Sequence, residues 1–149
     1  MATPVLPPDF KDFLQLLNAN GVEYLLIGGY AIGYHGYVRA TADMDIWVAR
    51  NAENAAKTAA TLRQFGFTLP ELSEGLFLKE ENIVRMGVPP FRIEVLTSVS
   101  GVEFEACYAA RVTDMIDGIP VNIISLPHLK VNKQACGRDR DLVDLRHLP

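Results

Sequence analysis

Asp43 and Asp45 stand one residue apart in the run Asp43-Met44-Asp45-Ile46-Trp47-Val48, at the head of an apolar stretch. Side chains of a strand alternate faces, so both carboxylates point one way while Met44 points the other, with the two Cα atoms roughly 7 Å apart. Carboxylates that close repel, and a divalent cation such as Mg²⁺, which prefers oxygen ligands, removes the conflict. Without a cation, the same pair reads as an Asx turn capping the start of the strand. A third acid, Glu94, interrupts the apolar run Phe91-Arg92-Ile93-Glu94-Val95-Leu96. If that strand lies beside the aspartate strand, Glu94 completes a three-carboxylate cluster. Two metals about 3.5–4 Å apart, bridged by such carboxylates, stabilise the attacking and leaving oxygens of an in-line displacement at phosphorus. The alternative is an outward-facing Glu94 paired with Arg92, and Glu103 and Glu105 are alternates for the third acid.

Gly28-Gly29 follows a short apolar run and precedes a helical one. Glycine lets the backbone come close to a ligand, and its amide N–H groups can face an anion such as a triphosphate. An ordinary tight turn would use the same dipeptide. The stretch Gly28-Gly29-Tyr30-Ala31-Ile32-Gly33 lacks the middle glycine of a G-x-G-x-x-G dinucleotide fingerprint, which disfavours a nucleotide-dependent oxidoreductase. Cations for the phosphates are Arg39, in the loop before the aspartates, and Lys130, Lys133 and Arg138. Lys130 and Lys133 lie three apart on one helical face, with Arg138 just past Gly137. A solvated basic face beside Arg140, with Asp141 and Asp144 pairing with these cations, is the other reading. Tyr30, Tyr34, His35 and Tyr37 cluster beside the glycines and could stack on a base, although such spacing also suits packing. Trp47 is expected in the core beneath the aspartate strand.

These residues need elements to hold them. Phe10, Phe13, Leu14, Leu16 and Leu17 recur at helical spacing after Pro7-Pro8-Asp9, and Asn20-Gly21 ends the helix. Val22 to Ile27 reads as a buried strand, Tyr30 to Tyr34 as a short helix, and Asp45 to Ala49 as the second strand. Asn51 to Phe65 is an alanine-rich helix closed by Gly66. Asn82 to Met86 and Phe91 to Thr97 are strands separated by Gly87 and Pro89-Pro90. Asp117-Gly118 marks a hairpin between Arg111 to Ile116 and Ile119 to Ile124. Ser125 caps a helix from Leu126 to about Ala135, and Asp139 to Leu148 forms a last short one. The sum is an α+β fold, one mixed sheet with helices packed on it.

The 149 residues, 49% of them apolar, suit one domain over 1–149 with a real core. No window holds eighteen consecutive apolar residues, and MATPVLPPDF lacks the basic-then-apolar pattern of a secretory signal, so the expectation is a cytoplasmic protein that does not enter a membrane. Cys107 and Cys136 have no metal-type spacing and read as reduced thiols. Fourteen Lys and Arg against eighteen Asp and Glu give a net charge of −4, which argues against broad binding to duplex nucleic acid. A small anion held by a few local cations is compatible with that balance.

Gly28-Gly29, then Arg39 and Thr41, then Asp43-Met44-Asp45 followed by Ile46, Trp47 and Val48, resemble in order and spacing the glycine-pair and hD-x-D-h signature of the DNA polymerase beta-like nucleotidyltransferase superfamily. The closing segment LPHLKVNKQACGRDRDLVDLRHL resembles that of the minimal nucleotidyltransferases related to bacterial abortive-infection and toxin-antitoxin systems. The resemblance spans about Val22 to Leu148. It implies a nucleotidyltransferase-type sheet and a two-metal transfer of a nucleoside monophosphate from a nucleoside triphosphate, ATP foremost, to an acceptor hydroxyl. By this resemblance Gly28 and Gly29 hold the phosphates, and Asp43 and Asp45 bind Mg²⁺, with Mn²⁺ as a substitute. Glu94 stands where the third acid, more commonly Asp, helps bind metal and activate the acceptor. Lys133 and Arg138 match the closing pattern. A protein hydroxyl, an RNA 3′ end or a small molecule are all compatible acceptors, and selectivity would come from a toxin-antitoxin partner or a homodimer. The alternative on the same fold is a non-catalytic, antitoxin-like subunit that binds nucleotide or a partner. Glu94 discriminates: facing the aspartates it favours chemistry, facing away it favours binding.

Overall fold

The computed structural model describes residues 5–67, 72–87 and 91–149. Helix α1 (Pro8–Ala19) starts with a proline in its first turn, where the missing N–H would have had no intrahelical acceptor anyway. It buries Phe10, Phe13, Leu14 and Leu17 and ends at Gly21, whose φ of +67° is the left-handed conformation that glycine adopts without strain. Strand β1 (Tyr24–Ile27) is buried at all four residues, as a strand covered on both faces must be. It runs directly into α2 (Gly28–Tyr34). Then follow β2 (Asp43–Val48) and α3 (Ala52–Gln64), a 3₁₀ turn at Glu74–Phe77, and strands β3 (Ile83–Met86) and β4 (Arg92–Leu96). After α4 (Phe104–Ala109) come the hairpin strands β5 (Val112–Ile116) and β6 (Ile119–Ile123), and then helices α5 (Leu126–Cys136) and α6 (Asp139–His147).

Six strands form one sheet in the order β3-β4-β2-β1-β6-β5. β1–β2, β3–β4 and β5–β6 are antiparallel, whereas β2–β4 and β1–β6 are parallel. This is the mixed α+β sheet that the alternation of elements predicts. Along β2, Met44, Ile46 and Val48 are fully buried. α3 is tied to the strand ends by the buried amide of Asn54, which accepts from the Glu23 N–H at 2.7 Å and donates to the Glu23 and Ala49 carbonyls at 3.1 and 2.9 Å.

Most expected elements form near their expected bounds. The Asp117-Gly118 turn takes positive φ at both residues, +49° and +80°, as a tight hairpin with the native strand twist requires. Ser125 accepts from the His128 N–H and caps α5. β2 begins two residues earlier than expected, at Asp43, because β4 pairs with it from Arg92 onward. The six-residue α4 carries too little periodic signal to be read from sequence, and only Cys107 of it is buried. The proposed turn residues Pro89-Pro90 lie outside the described residues. Both cysteines are free thiols, and among the described residues no helix is long and apolar enough to cross a membrane.

Candidate active site

Strand alternation puts Asp43, Asp45 and Trp47 on the face of β2 opposite Met44, Ile46 and Val48. β4 runs parallel beside it, in a register that pairs Asp43 with Arg92, Asp45 with Glu94 and Trp47 with Leu96. Glu94 therefore faces the aspartates instead of turning outward. The two aspartates are part of the strand and do not form a turn that caps it.

Arginines thread the three carboxylates. Arg92 Nη2 donates to Asp43 Oδ2 at 2.9 Å and lies 3.1 Å from Glu94 Oε1. Arg85, opposite Glu94 on β3, donates from Nε to the same Glu94 oxygen at 3.2 Å. Asp45 has no such relief. Its Oδ1 is buried without a hydrogen-bond partner, and burial, reinforced by the negative charges of Glu94 and Asp43, pushes its pKa up to about 7 against the pull of Lys133.

The glycine pair is explained by what stands against it. Gly28 has φ +67°, and a Cβ there would lie 2.3 Å from Asp45 Oδ2; one on Gly29 would lie 2.4 Å from Thr41 Oγ1. The backbone leaving β1 thus presses directly on the Asp45 carboxylate and on the loop before it. The sequence suggests glycines that let the backbone approach a ligand; what stands against them in the structure is Asp45 and Thr41.

Around these groups opens a cleft of about 760 Å³, lined by Gly28, Gly29, Asp43, Asp45, Glu94 and six cationic side chains, Arg39, Arg85, Arg92, Lys133, Arg138 and Arg140. Three of the four proposed phosphate cations reach it, and all three are already partnered. Lys133 Nζ sits 3.1 Å from Asp141 Oδ1 and 3.5 Å from Asp144 Oδ2. Arg39 grips Asp144 with two hydrogen bonds of 2.8 and 3.0 Å, and Arg138 Nε donates to Asp141 Oδ2 at 2.7 Å. Burial alone would raise the Asp141 pKa, but hydrogen bonds from Arg138 and Lys133 outweigh it and hold the carboxyl below its ordinary range. The expectation fails for Lys130, whose amine donates to the terminal oxygen of Pro149 and which does not line the cleft. Arg140, which the sequence places beside the solvated basic face of the other reading, lines it without an ion pair among the described residues.

The aromatic cluster is packing. Tyr30 lies edge-on to Phe10, Tyr37 stacks on His147, Tyr34 donates to Asp114, and His35 Nε2 meets the Ile124 carbonyl. Trp47 is buried as expected, but on the site's face of the sheet.

Oxygen-only donors and an orphaned carboxylate oxygen suit a hard divalent cation. As the side chains stand, no three His, Cys, Asp or Glu among the described residues close on one point as a metal shell. The guanidinium of Arg92 is between Asp43 and Glu94.

No family model matches the chain, and no curated protein does. Among solved structures it is similar to a Thermotoga maritima protein described as a "putative nucleotidyltransferase". The two share 13% identity over 95% of this chain and 93% of that one, with a TM-score of 0.64. The chain has a nucleotidyltransferase-type fold. At that identity the likeness speaks for the fold alone, and function must be argued from the site.

Proposed function

We propose that the cleft binds a nucleoside triphosphate, ATP foremost, and transfers its nucleoside monophosphate to an acceptor hydroxyl. The observation that carries this reading is the register of β2 and β4, which sets Asp43, Asp45 and Glu94 on adjacent rows of one face beside the Gly28-Gly29 backbone. The cation-rich wall opposite them suits a polyphosphate in a chain of net charge −4. In the transfer, the acceptor oxygen bonds to the α-phosphorus. The bond from that phosphorus to the bridging oxygen breaks, pyrophosphate leaves with the electron pair, and the hydroxyl proton passes to Glu94. Mg²⁺ or Mn²⁺ held by Asp43, Asp45 and Glu94 would offset the charge on the phosphoryl oxygens. Arg140 and the backbone N–H groups of Gly28 and Gly29 bind the phosphates, while Arg39, Lys133 and Arg138 shape the wall behind them.

The test is calorimetric titration of ATP with and without Mg²⁺ into the wild type and into a variant carrying Asp43→Asn and Asp45→Asn. Metal-dependent binding that vanishes in a still-folded variant supports the reading. Binding indifferent to metal and to both changes sinks it. A second reading, a nucleotide-binding relative that transfers nothing, is favoured by one feature, the hold of Arg85 and Arg92 on Glu94. Metal-dependent ATP binding without pyrophosphate release against any hydroxylated acceptor would select it.

A further inference from the structure

The cleft changes character along its length. Arg39, Arg138 and Arg140 stand at the end where Thr41 lies against Gly29, whereas the chain beyond Glu94 lines the other end with Leu96, Ser98, Val99 and Ser100, none of them charged. Helix α5 serves both ends. Lys133 turns to the α6 aspartates, and Asn132, about 100° around the helix, turns to Ser100.

Asn132 is 6% exposed. Its amide nitrogen donates to the Ser100 carbonyl at 2.8 Å and to Cys136 Sγ at 3.8 Å, so both hydrogens are engaged and the orientation of the amide is fixed. Nothing among the described residues donates to its Oδ1. That oxygen is also not one of the sealed orphan atoms of the described residues, which are Asp45 Oδ1, Trp47 Nε1 and Arg92 Nε. Water therefore reaches Oδ1, and the opening that Asn132 lines is this cleft. Buried polar side chains are normally satisfied at every strong site. An amide with its hydrogens held by the protein and its acceptor left to the cleft is set to receive an N–H donor from a ligand.

We infer that Asn132 reads the base of the nucleotide and selects bases with an exocyclic amine, adenine and cytosine, over the keto bases guanine and uracil. This rests on the nucleotidyl-transfer reading of the cleft. The base lies at the uncharged end, over Leu96 and Val99, and the triphosphate at the end with Gly28, Gly29 and Arg140. The α-phosphorus then falls between them, beside the acids. The amine of adenine or cytosine donates to Asn132 Oδ1. Guanine and uracil present an oxygen at the corresponding position, which sets acceptor against acceptor and leaves both unpaired. The amide cannot turn to offer N–H instead, because that would bring Oδ1 against the Ser100 carbonyl. A site built around a hydrogen bond rejects the analogue that cannot make it far more strongly than an apolar pocket does.

The test is calorimetric titration of the intact protein, in Mg²⁺, with ATP and with inosine triphosphate, which carries a keto oxygen where ATP carries the amine. ATP should bind at least tenfold more tightly, and CTP should exceed UTP by a similar factor. Asn132→Ala and Asn132→Leu, each checked for folding by circular dichroism, should lower ATP affinity until the two purine nucleotides differ by less than about threefold. A nitrogen-15 spectrum of the wild type needs no variant: the side-chain amide resonances of Asn132 should move with ATP and stay in place with inosine triphosphate. Equal affinities in the wild type, discrimination that survives in a folded Asn132 variant, or equal movement of the amide resonances overturns the inference. Metal-dependent binding of both purine nucleotides alike, lost with Asp43→Asn and Asp45→Asn, refutes the base readout alone and leaves the transfer reading standing. Failure of every triphosphate to bind removes both.

Discussion

Lys133→Met separates a phosphate ligand from a structural tie. Lys133 is 5% exposed, and its ammonium lies between Asp141 and Asp144, which are 0% and 1% exposed. Removing one partner of a buried charge pair leaves uncompensated charge and destabilises by about 3–5 kcal/mol. Arg138 still holds Asp141 and Arg39 still holds Asp144, so the lower end applies, about 3 kcal/mol. For a chain of this size that lowers Tm by about 6–12 °C, measurable by circular dichroism. The pH dependence has a definite sign. Asp141 is held below its ordinary range in the folded state, so its contribution is present above a pH of about 4 and is lost as pH falls through the folded value. The gap between wild type and variant is therefore full at neutrality and narrows in acid. Adding Asp141→Asn to Lys133→Met should recover part of the loss, since Asn still accepts from the Arg138 N–H. A variant with unaltered Tm but weakened ATP binding would refute this reasoning and return Lys133 to the phosphates.

Gly28→Ala should destabilise by about 1–3 kcal/mol, because alanine is strained at a φ of +67°. Its Cβ would also collide with Asp45 Oδ2, so Mg²⁺-dependent ATP affinity should fall at least tenfold by calorimetry; wild-type affinity would mean that the carboxylate moves freely and that its position against the glycine is unimportant. Arg92→Gln removes the cation between Asp43 and Glu94, so the variant should unfold at lower temperature without metal and gain more in Tm from Mg²⁺ than the wild type does. An equal Mg²⁺ response in the two proteins would show that the bridge does not compete with a cation.

The architecture was legible wherever local chemistry is decisive: the α1 stripe, the Asp-Gly hairpin, the Ser125 cap and the two central strands. Local signals run out where pairing decides. No periodicity in Asp43-Met44-Asp45 says that β4 will lie parallel beside it, and that neighbour extends β2 back to Asp43 and turns Glu94 inward. Lys130 and Lys133 share helical spacing, but they end in different places because α6 packs its buried aspartates against only one of them. Trp47 is expected in the core beneath the aspartate strand, and it is buried. The alternation that aligns the aspartates also aligns the tryptophan, and that signal was present in the sequence.

Two charge clusters meet in this cleft, and exposure separates their roles. Asp141, Asp144 and Lys133 are sealed from water, where ion pairs exchange only at a large cost in desolvation. They fix α6 against α5 and the Arg39 loop. The side chains of Asp43 and Arg92 are about one-third exposed, at 31% and 30%, where an ion pair is weak and exchangeable. Three carboxylates on adjacent rows repel one another unless positive charge stands among them. Arg92 supplies one such charge, and the proton that Asp45 retains up to a pH of about 7 removes a negative one. A divalent cation could replace both, because Arg92 can swing into water and Asp45 can release its proton, whereas nothing comparable is open to Lys133. The acids suited to chemistry are thus those whose counter-charges can leave, and both β2 aspartates meet that condition.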